Sequence, residues 1–183
     1  ISNRSSGTTG YWLARNLYRL GASHVTVIGN TSQPLPPYIN HISASSTDDY
    51  YSETRAELKS DAYDIMFIPA ALSDFSVNQG KRKIESGKEV SITIKPREKL
   101  LESIRKEHSG ILVSFKLDHD ENRLKHPDSG LEYVVFNKIK PQGRTFGENT
   151  ADYKVFGKDG MTEIIAGDKE EATWRLILHV TGE

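Results

Sequence analysis

The chain has 183 residues and a mass of 20.5 kDa, with 24 Lys and Arg against 25 Asp and Glu and a formal net charge of −1. That balance gives no global pull toward nucleic acid or an anionic membrane surface. The absence of cysteine excludes disulfides, thiolate metal sites and a cysteine nucleophile, and no apolar run approaches the roughly 20 residues that span a bilayer. One cytoplasmic globular domain over residues 1–183 is expected, large enough to bury a core.

Asn3-Arg4-Ser5-Ser6-Gly7 leads into an apolar-periodic run of Tyr11, Leu13, Ala14, Leu17, Tyr18 and Leu20. Small hydroxyl residues before such a run mark a helix start, either as ordinary caps or with free backbone N–H groups turned to an anion. Asn3 adds an amide that both donates and accepts. The chain begins at Ile1 without a methionine and reads as a fragment, the strand that normally precedes a phosphate-binding turn being expected upstream.

The first helix is expected to end near Gly21, and His24–Ile28 reads as a buried strand. Thr31–Pro37 is loop, and Thr47–Leu58 a helix capped by the preceding serines. Asp64–Ala71 reads as a second core strand, Val90–Ile94 as an exposed one, and Glu98–Lys106 as a helix. Ile111–Phe115 and Glu132–Phe136 are further core strands. Tyr153–Phe156 and Thr162–Ile165 flank Gly157-Lys158-Asp159-Gly160, a hairpin signal, and Asp168–His179 closes the chain as a helix capped by Asp168. Strand and helix alternation of this kind predicts an α/β layered fold with a mostly parallel sheet.

Ligands in such sheets bind beyond the carboxyl ends of the strands. The segments after each core strand are therefore the places to inspect: Asn30 onward, Ala70–Phe75, Phe115–Asp120 and Asn137 onward. Pro69-Ala70-Ala71-Leu72-Ser73-Asp74-Phe75 combines small residues with a carboxylate, as a capped turn or as room for a ligand. Lys81, Arg82, Lys83, Lys88, Lys95, Arg97 and Lys99 form a basic cluster, a solvated or edge-protecting face unless one or two lysines neutralise a triphosphate. Phe115 is a core aromatic or a ring that stacks on a base. The six histidines show no metal spacing, and neither a Walker loop nor Gly-x-Gly-x-x-Gly is present.

Taken jointly, ISNRSSG (1–7), PAALSDF (69–75), KIES (83–86) leading into SITIKP (91–96), VSFKLD (113–118) and VVFN (134–137) resemble phosphopantothenoylcysteine synthetase, the ligase domain of coenzyme A biosynthesis. The FKL variant of the fourth motif is similar to the single-function or eukaryotic-type enzymes. The resemblance implies a Rossmann-like three-layer sandwich with a mostly parallel central sheet and a C-terminal hairpin. It implies CTP- or ATP-driven, Mg²⁺-dependent coupling of 4′-phosphopantothenate to cysteine through an acyl-nucleotide, in a homodimer that binds neither nucleic acid nor membrane.

On that resemblance Asn3 and Lys83 are the catalytic candidates. Ser5, Ser6 and Gly7 would present hydroxyls and N–H groups to phosphate, and Ala70, Ala71 and Asp74 would line the pocket where substrate and nucleotide meet. Glu98, Lys99, Leu100, Leu101, Phe115 and Lys125 would complete the nucleotide site together with Asp74 and Lys83. The family's Gly-Gly-Thr loop and Asp-x-Val-Arg segment are absent before Ile1, and Lys116 stands where many bacterial members carry a small residue. A nucleotide- or flavin-binding module without ligase chemistry is the alternative, because the same phosphate turn serves it without Asp74 or Lys83.

Overall fold

The computed structural model describes residues 6–70, 75–77, 87, 91, 93–96, 100–120, 130–138 and 151–183. In chain order these form α1 (Thr8–Arg19), β1 (Thr26–Ile28), β2 (Asn40–Ile42), α2 (Thr47–Ser60), β3 (Ile65–Ile68), β4 (Phe75–Val77) and β5 (Ile94–Pro96). There follow α3 (Leu100–Glu107), β6 (Ile111–Asp118), β7 (Tyr133–Lys138), β8 (Ala151–Gly157), β9 (Gly160–Ala166) and α4 (Lys169–Thr181). Among the described residues no helix is long and apolar enough to cross a membrane.

The largest sheet has the order β3-β6-β7-β8-β9. Its β3, β6 and β7 run parallel, with Ile65 opposite Ile111 and Val113 opposite Tyr133. The expected hairpin then extends it antiparallel through β8 and β9, turning at Gly157 and Gly160. β1 and β2 make a parallel pair, and β4 and β5 an antiparallel ribbon.

Successive side chains on a strand point to opposite faces, and this alternation builds three layers. Val113, Val135, Tyr153 and Val155 pack on one face against Leu13 of α1 and Ala172, Leu176 and Ile177 of α4. Leu112, Val134, Met66 and Ile68 pack on the other against Leu100 and Ile104 of α3 and Tyr51 and Leu58 of α2. Leu112, Val113, Val135 and Val155 are fully excluded from solvent, so truncating any of them opens a cavity at a cost of about 1–5 kcal/mol.

Helix α1 spans two clusters. Leu13 belongs to the large sheet, Ala14 packs with Val25 and Ile39 beside β1 and β2, and Leu17 touches both. It is also tied to α4. The fully buried Asn16 donates through Nδ2 to the Glu170 carbonyl (2.8 Å) and the Thr173 hydroxyl (3.0 Å), and Arg19 bridges to Glu170 at 2.7 Å.

Two strands lie outside the sequence expectation. β2 is Asn-His-Ile, too short and too polar for a period-two signal. Tertiary pairing fixes it instead: Asn40 N–H donates to the Val25 carbonyl (2.9 Å) and Gly29 N–H to the Ile42 carbonyl (2.8 Å). β4 begins at Phe75, the last residue of the segment expected to be a turn, and of the exposed strand expected at 90–94 Ile94 opens β5, with 90 and 92 outside the described residues.

Candidate functional site

The three longest helices begin in different ways. At α2, Ser46 and Asp49 form a reciprocal capping box, and at α4 the Asp168 carboxylate accepts the Glu171 N–H at 2.8 Å. At α1 the cap position is Gly7, which offers no side-chain cap hydrogen bond. Ser6 Oγ contacts the Thr8 hydroxyl (2.9 Å) and accepts weakly from the Thr8 N–H (3.4 Å). A helix start that lacks an anionic cap is suited to take an external anion on its N–H groups and dipole.

The position of that start is fixed by close approach. Gly7 has φ +68°, and a Cβ placed on it would run into the Asn30 carbonyl oxygen and lie 2.6 Å from Thr31 Cα. Only glycine meets both the left-handed backbone and the missing space. Gly29, at φ +107°, has the same constraint, since a Cβ there would collide with the Tyr50 hydroxyl. Tyr50 is held by the backbone N–H of Asn30, while burial raises its phenol pKa. On the other flank, Gly10 approaches the Pro69 ring. The first turn of α1 therefore sits between the carboxyl ends of β1 and β3, against Asn30, which opens the first segment singled out from sequence, and Pro69, which precedes the second.

The third segment comes in through aromatic contact. The strand expected to end at Phe115 continues to Asp118, so Phe115 lies within β6; its ring meets Tyr153 of β8 edge to face, with ring centroids 5.9 Å apart and planes at 86°. Tyr153 is 2% exposed, and burial pushes its phenol up to about 12, against a side-chain hydrogen bond with Thr9 that opposes the shift. Thr9 is in the first turn of α1. Asn137, which opens the fourth segment, stands opposite Tyr153 in the β7–β8 register. Ser6, Gly7, Thr9, Asn30, Pro69, Phe115, Tyr153 and Asn137 thus gather toward the carboxyl end of the parallel strands.

Of the residues expected at the site, Ser6 is exposed, Gly7 is wedged as described, and Ala70 lies just past Pro69, which follows β3. Phe115 is half-buried and packs on the α1/α4-side core. Leu100 is 7% exposed and packs, with Leu101, against the α2/α3-side core, which leaves the backbone of the α3 start rather than these side chains for ligand contact. Asn3, Ser5, Ala71, Asp74, Lys83, Glu98, Lys99 and Lys125 lie outside the described residues. Of the basic cluster, Lys95 is described, on exposed β5.

Sequence reasoning passed over Thr9 and Tyr153. Tyr153 registered only as the start of a strand, because the aim of a buried hydroxyl is a tertiary property. Two open depressions of about 370 and 380 Å³ lie at the opposite end of the sheet, lined by residues such as Ala62, Tyr63, Gly110 and Glu132, away from this constellation. Among the described residues no group of three or more His, Asp or Glu is placed to hold a metal ion.

The sequence pattern of the DNA/pantothenate metabolism flavoprotein C-terminal domain family matches residues 1–182. The coenzyme A biosynthesis bifunctional protein CoaBC of Thermococcus kodakarensis is 29% identical over 187 residues, covering 96% of this chain and 45% of that protein. The CoaBC of Methanocaldococcus jannaschii is 29% identical over 186 residues, covering 97% and 45%. The chain thus spans about half the length of these curated relatives. The crystal structure of the C-terminal domain of a CoaBC superposes with a TM-score of 0.74 at 22% identity, covering 98% of this chain and 85% of that one, and so shares its fold.

Proposed function

The chain belongs to the DNA/pantothenate metabolism flavoprotein C-terminal domain family, and on that premise we propose that it is a phosphopantothenate–cysteine ligase. The carboxylate of 4′-phosphopantothenate attacks the α-phosphate of CTP or ATP, pyrophosphate leaves, and an acyl-nucleotide forms. The amine of cysteine then attacks the acyl carbon, and the nucleoside monophosphate departs to leave the amide. Such chemistry needs positioning and charge neutralisation more than a protein nucleophile, in keeping with a chain that has no cysteine.

One observation carries the reading. The start of α1 lacks a side-chain cap from Gly7 and is wedged between the ends of β1 and β3, beside the strand that bears Phe115. Its N–H groups and the Ser5 and Ser6 hydroxyls would hold phosphate, with Asn3 reaching the reacting carboxyl and phosphate oxygens. Phe115 would pack on the base or ribose, with Asp74, Lys83, Glu98, Lys99 and Lys125 drawn around the nucleotide. Ala70 and Ala71 would leave room for the pantothenate arm, and Leu100 and Leu101 would contribute backbone.

The residues described supply no dedicated Mg²⁺ cage. The ion would arrive on the triphosphate, whose charge it would help to neutralise. A cytoplasmic homodimer fits the reading, and exposed Phe75 and Ile94 on the β4–β5 ribbon offer apolar surface for self-association.

Incubating the protein with phosphopantothenate, Mg²⁺ and each nucleotide in turn should release pyrophosphate only when phosphopantothenate is present. Release that ignores phosphopantothenate, or none with either nucleotide, overturns the ligase reading.

A further inference from the structure

Beyond the end of β1 the backbone of Gly29 is held from three directions. Its N–H donates to the Ile42 carbonyl at 2.8 Å, the Tyr50 hydroxyl packs over its Cα, and its carbonyl accepts from His41 Nε2 at 2.7 Å. A carbonyl can only accept, so Nε2 carries the proton of this bond whether the imidazole is neutral or charged. The two residues that follow form the seat of the α1 start: a Cβ on Gly7 would run into the Asn30 carbonyl oxygen and lie 2.6 Å from Thr31 Cα. His41 is exposed, and water would satisfy the same carbonyl nearly as well, so the bond adds little to global stability. Water would not hold that carbonyl in one direction relative to β2. At a glycine, whose backbone has wide freedom, that direction needs an outside hold, and it sets where the Asn30 oxygen meets Gly7.

We propose that His41 is a positioning residue for the phosphate-binding turn. By donating to the Gly29 carbonyl it fixes the Gly29–Asn30 peptide. Through Asn30 and Thr31 it then fixes Gly7 and the first N–H groups of α1 where a phosphate meets them. The inference rests on the nucleotide-dependent reading above and extends it to a side chain on β2, a strand that no motif marked. His41 acts on the ligand only through this loop. Losing its donor therefore loosens the seat of the turn and weakens phosphate binding, while the fold keeps its stability.

The test compares wild type, His41→Leu and His41→Gln by calorimetric titration with pyrophosphate, MgATP and MgCTP, by steady-state kinetics and by urea unfolding. The glutamine amide keeps a donor at a reach similar to that of Nε2, whereas leucine fills the space without one. His41→Leu should unfold at the wild-type urea midpoint. Its Kd should rise by roughly three- to tenfold, the worth of one hydrogen bond, for each of the three ligands that wild type binds. The nucleotide KM should rise by the same factor, with kcat and the KM for cysteine changed by less than about twofold. His41→Gln should restore wild-type values. Wild-type affinity in His41→Leu, a loss for nucleotide without the same loss for pyrophosphate, no recovery in His41→Gln, or a lowered urea midpoint with the KM for cysteine rising in step would each overturn the proposal while leaving the ligase reading intact. If wild type binds none of the three ligands, both fall together.

Discussion

The two ends of the five-stranded sheet satisfy their polar groups differently. At the end where β6 and β7 begin, Arg105 donates to the Gly130 carbonyl (3.0 Å), both oxygens of Glu132 (3.2 and 2.9 Å), the Gly110 carbonyl (3.0 Å) and the His108 carbonyl. Glu132 also accepts the Leu112 N–H at 2.8 Å. That end is a closed network which fixes strand starts to a helix end. At the opposite end, α1 begins on Gly7, which supplies no side-chain cap hydrogen bond. The first arrangement serves the fold. The second leaves the helix start without an anionic side-chain cap, at the end where α/β sheets bind their ligands.

The sharpest way to separate the two ends is to change chemistry at one without touching the other. Asn3 is proposed above to reach the reacting oxygens, and on that proposal Asn3→Asp replaces a donor by a charge that repels phosphate. Overall turnover should fall by roughly two orders of magnitude or more, while the urea midpoint stays at the wild-type value. Product formation at the normal rate would remove Asn3 from the mechanism. Gly7→Ala comes next and blurs the comparison, because this glycine is fixed by close packing as well as proposed for phosphate binding. The added methyl meets the Asn30 carbonyl and a backbone at φ +68°, so about 3 kcal/mol of stability should go along with nucleotide binding. An alanine variant with full stability would show that the turn relaxes freely.

How much of this was legible in the sequence follows from the range of the interactions. Ile111–Phe115, the Gly157–Gly160 hairpin and the Asp168 cap are local signals, and the structure has each where the pattern put it. β2 was not legible, because Asn40-His41-Ile42 is a strand only by virtue of Val25 and Gly29 beside it. The candidate site divides similarly. Ser6 and Gly7 announce a helix start by themselves, whereas Leu100, assigned to the nucleotide through its motif, turns its side chain into the core. Arg105 lies in the last turn of α3, and its reach to Glu132, 27 residues away, has no local trace in the sequence.

Arg105→Met tests the other side of the comparison. The substitution keeps the aliphatic stem and leaves three carbonyls and the Glu132 carboxylate without their donor. Both partners retain some solvent, with side chains 21% and 30% exposed, so the expected loss is nearer about 2 kcal/mol than the larger values of fully buried pairs. It should appear as a lower urea midpoint with an unchanged m-value. The Kd for nucleotide should not move. A weakened Kd at unchanged stability would mean that the two ends are coupled through the sheet and that the division drawn above is wrong.

The smallest effect concerns a helix start that is fully satisfied, the counterpart of the start of α1. Hydrogen bonds from the backbone and hydroxyl of Ser45, then from Ser46, hold the Asp49 carboxyl down at about 2 from its ordinary 3.8. Because the folded value is the lower one, the unfolded chain takes up the proton first as pH falls. The cap's contribution is therefore complete above about pH 4, shrinks between 4 and 2, and is gone below. Asp49→Asn removes the charge at every pH. The stability difference between wild type and this variant should be flat from neutral pH to about 4 and close toward zero by about 2, and the Asp49 carboxyl resonance should titrate near 2. A midpoint near 3.8 would mean that the capping box of α2 is open in solution, and the contrast between a self-capped α2 and an α1 left for an anion would then lose its reference.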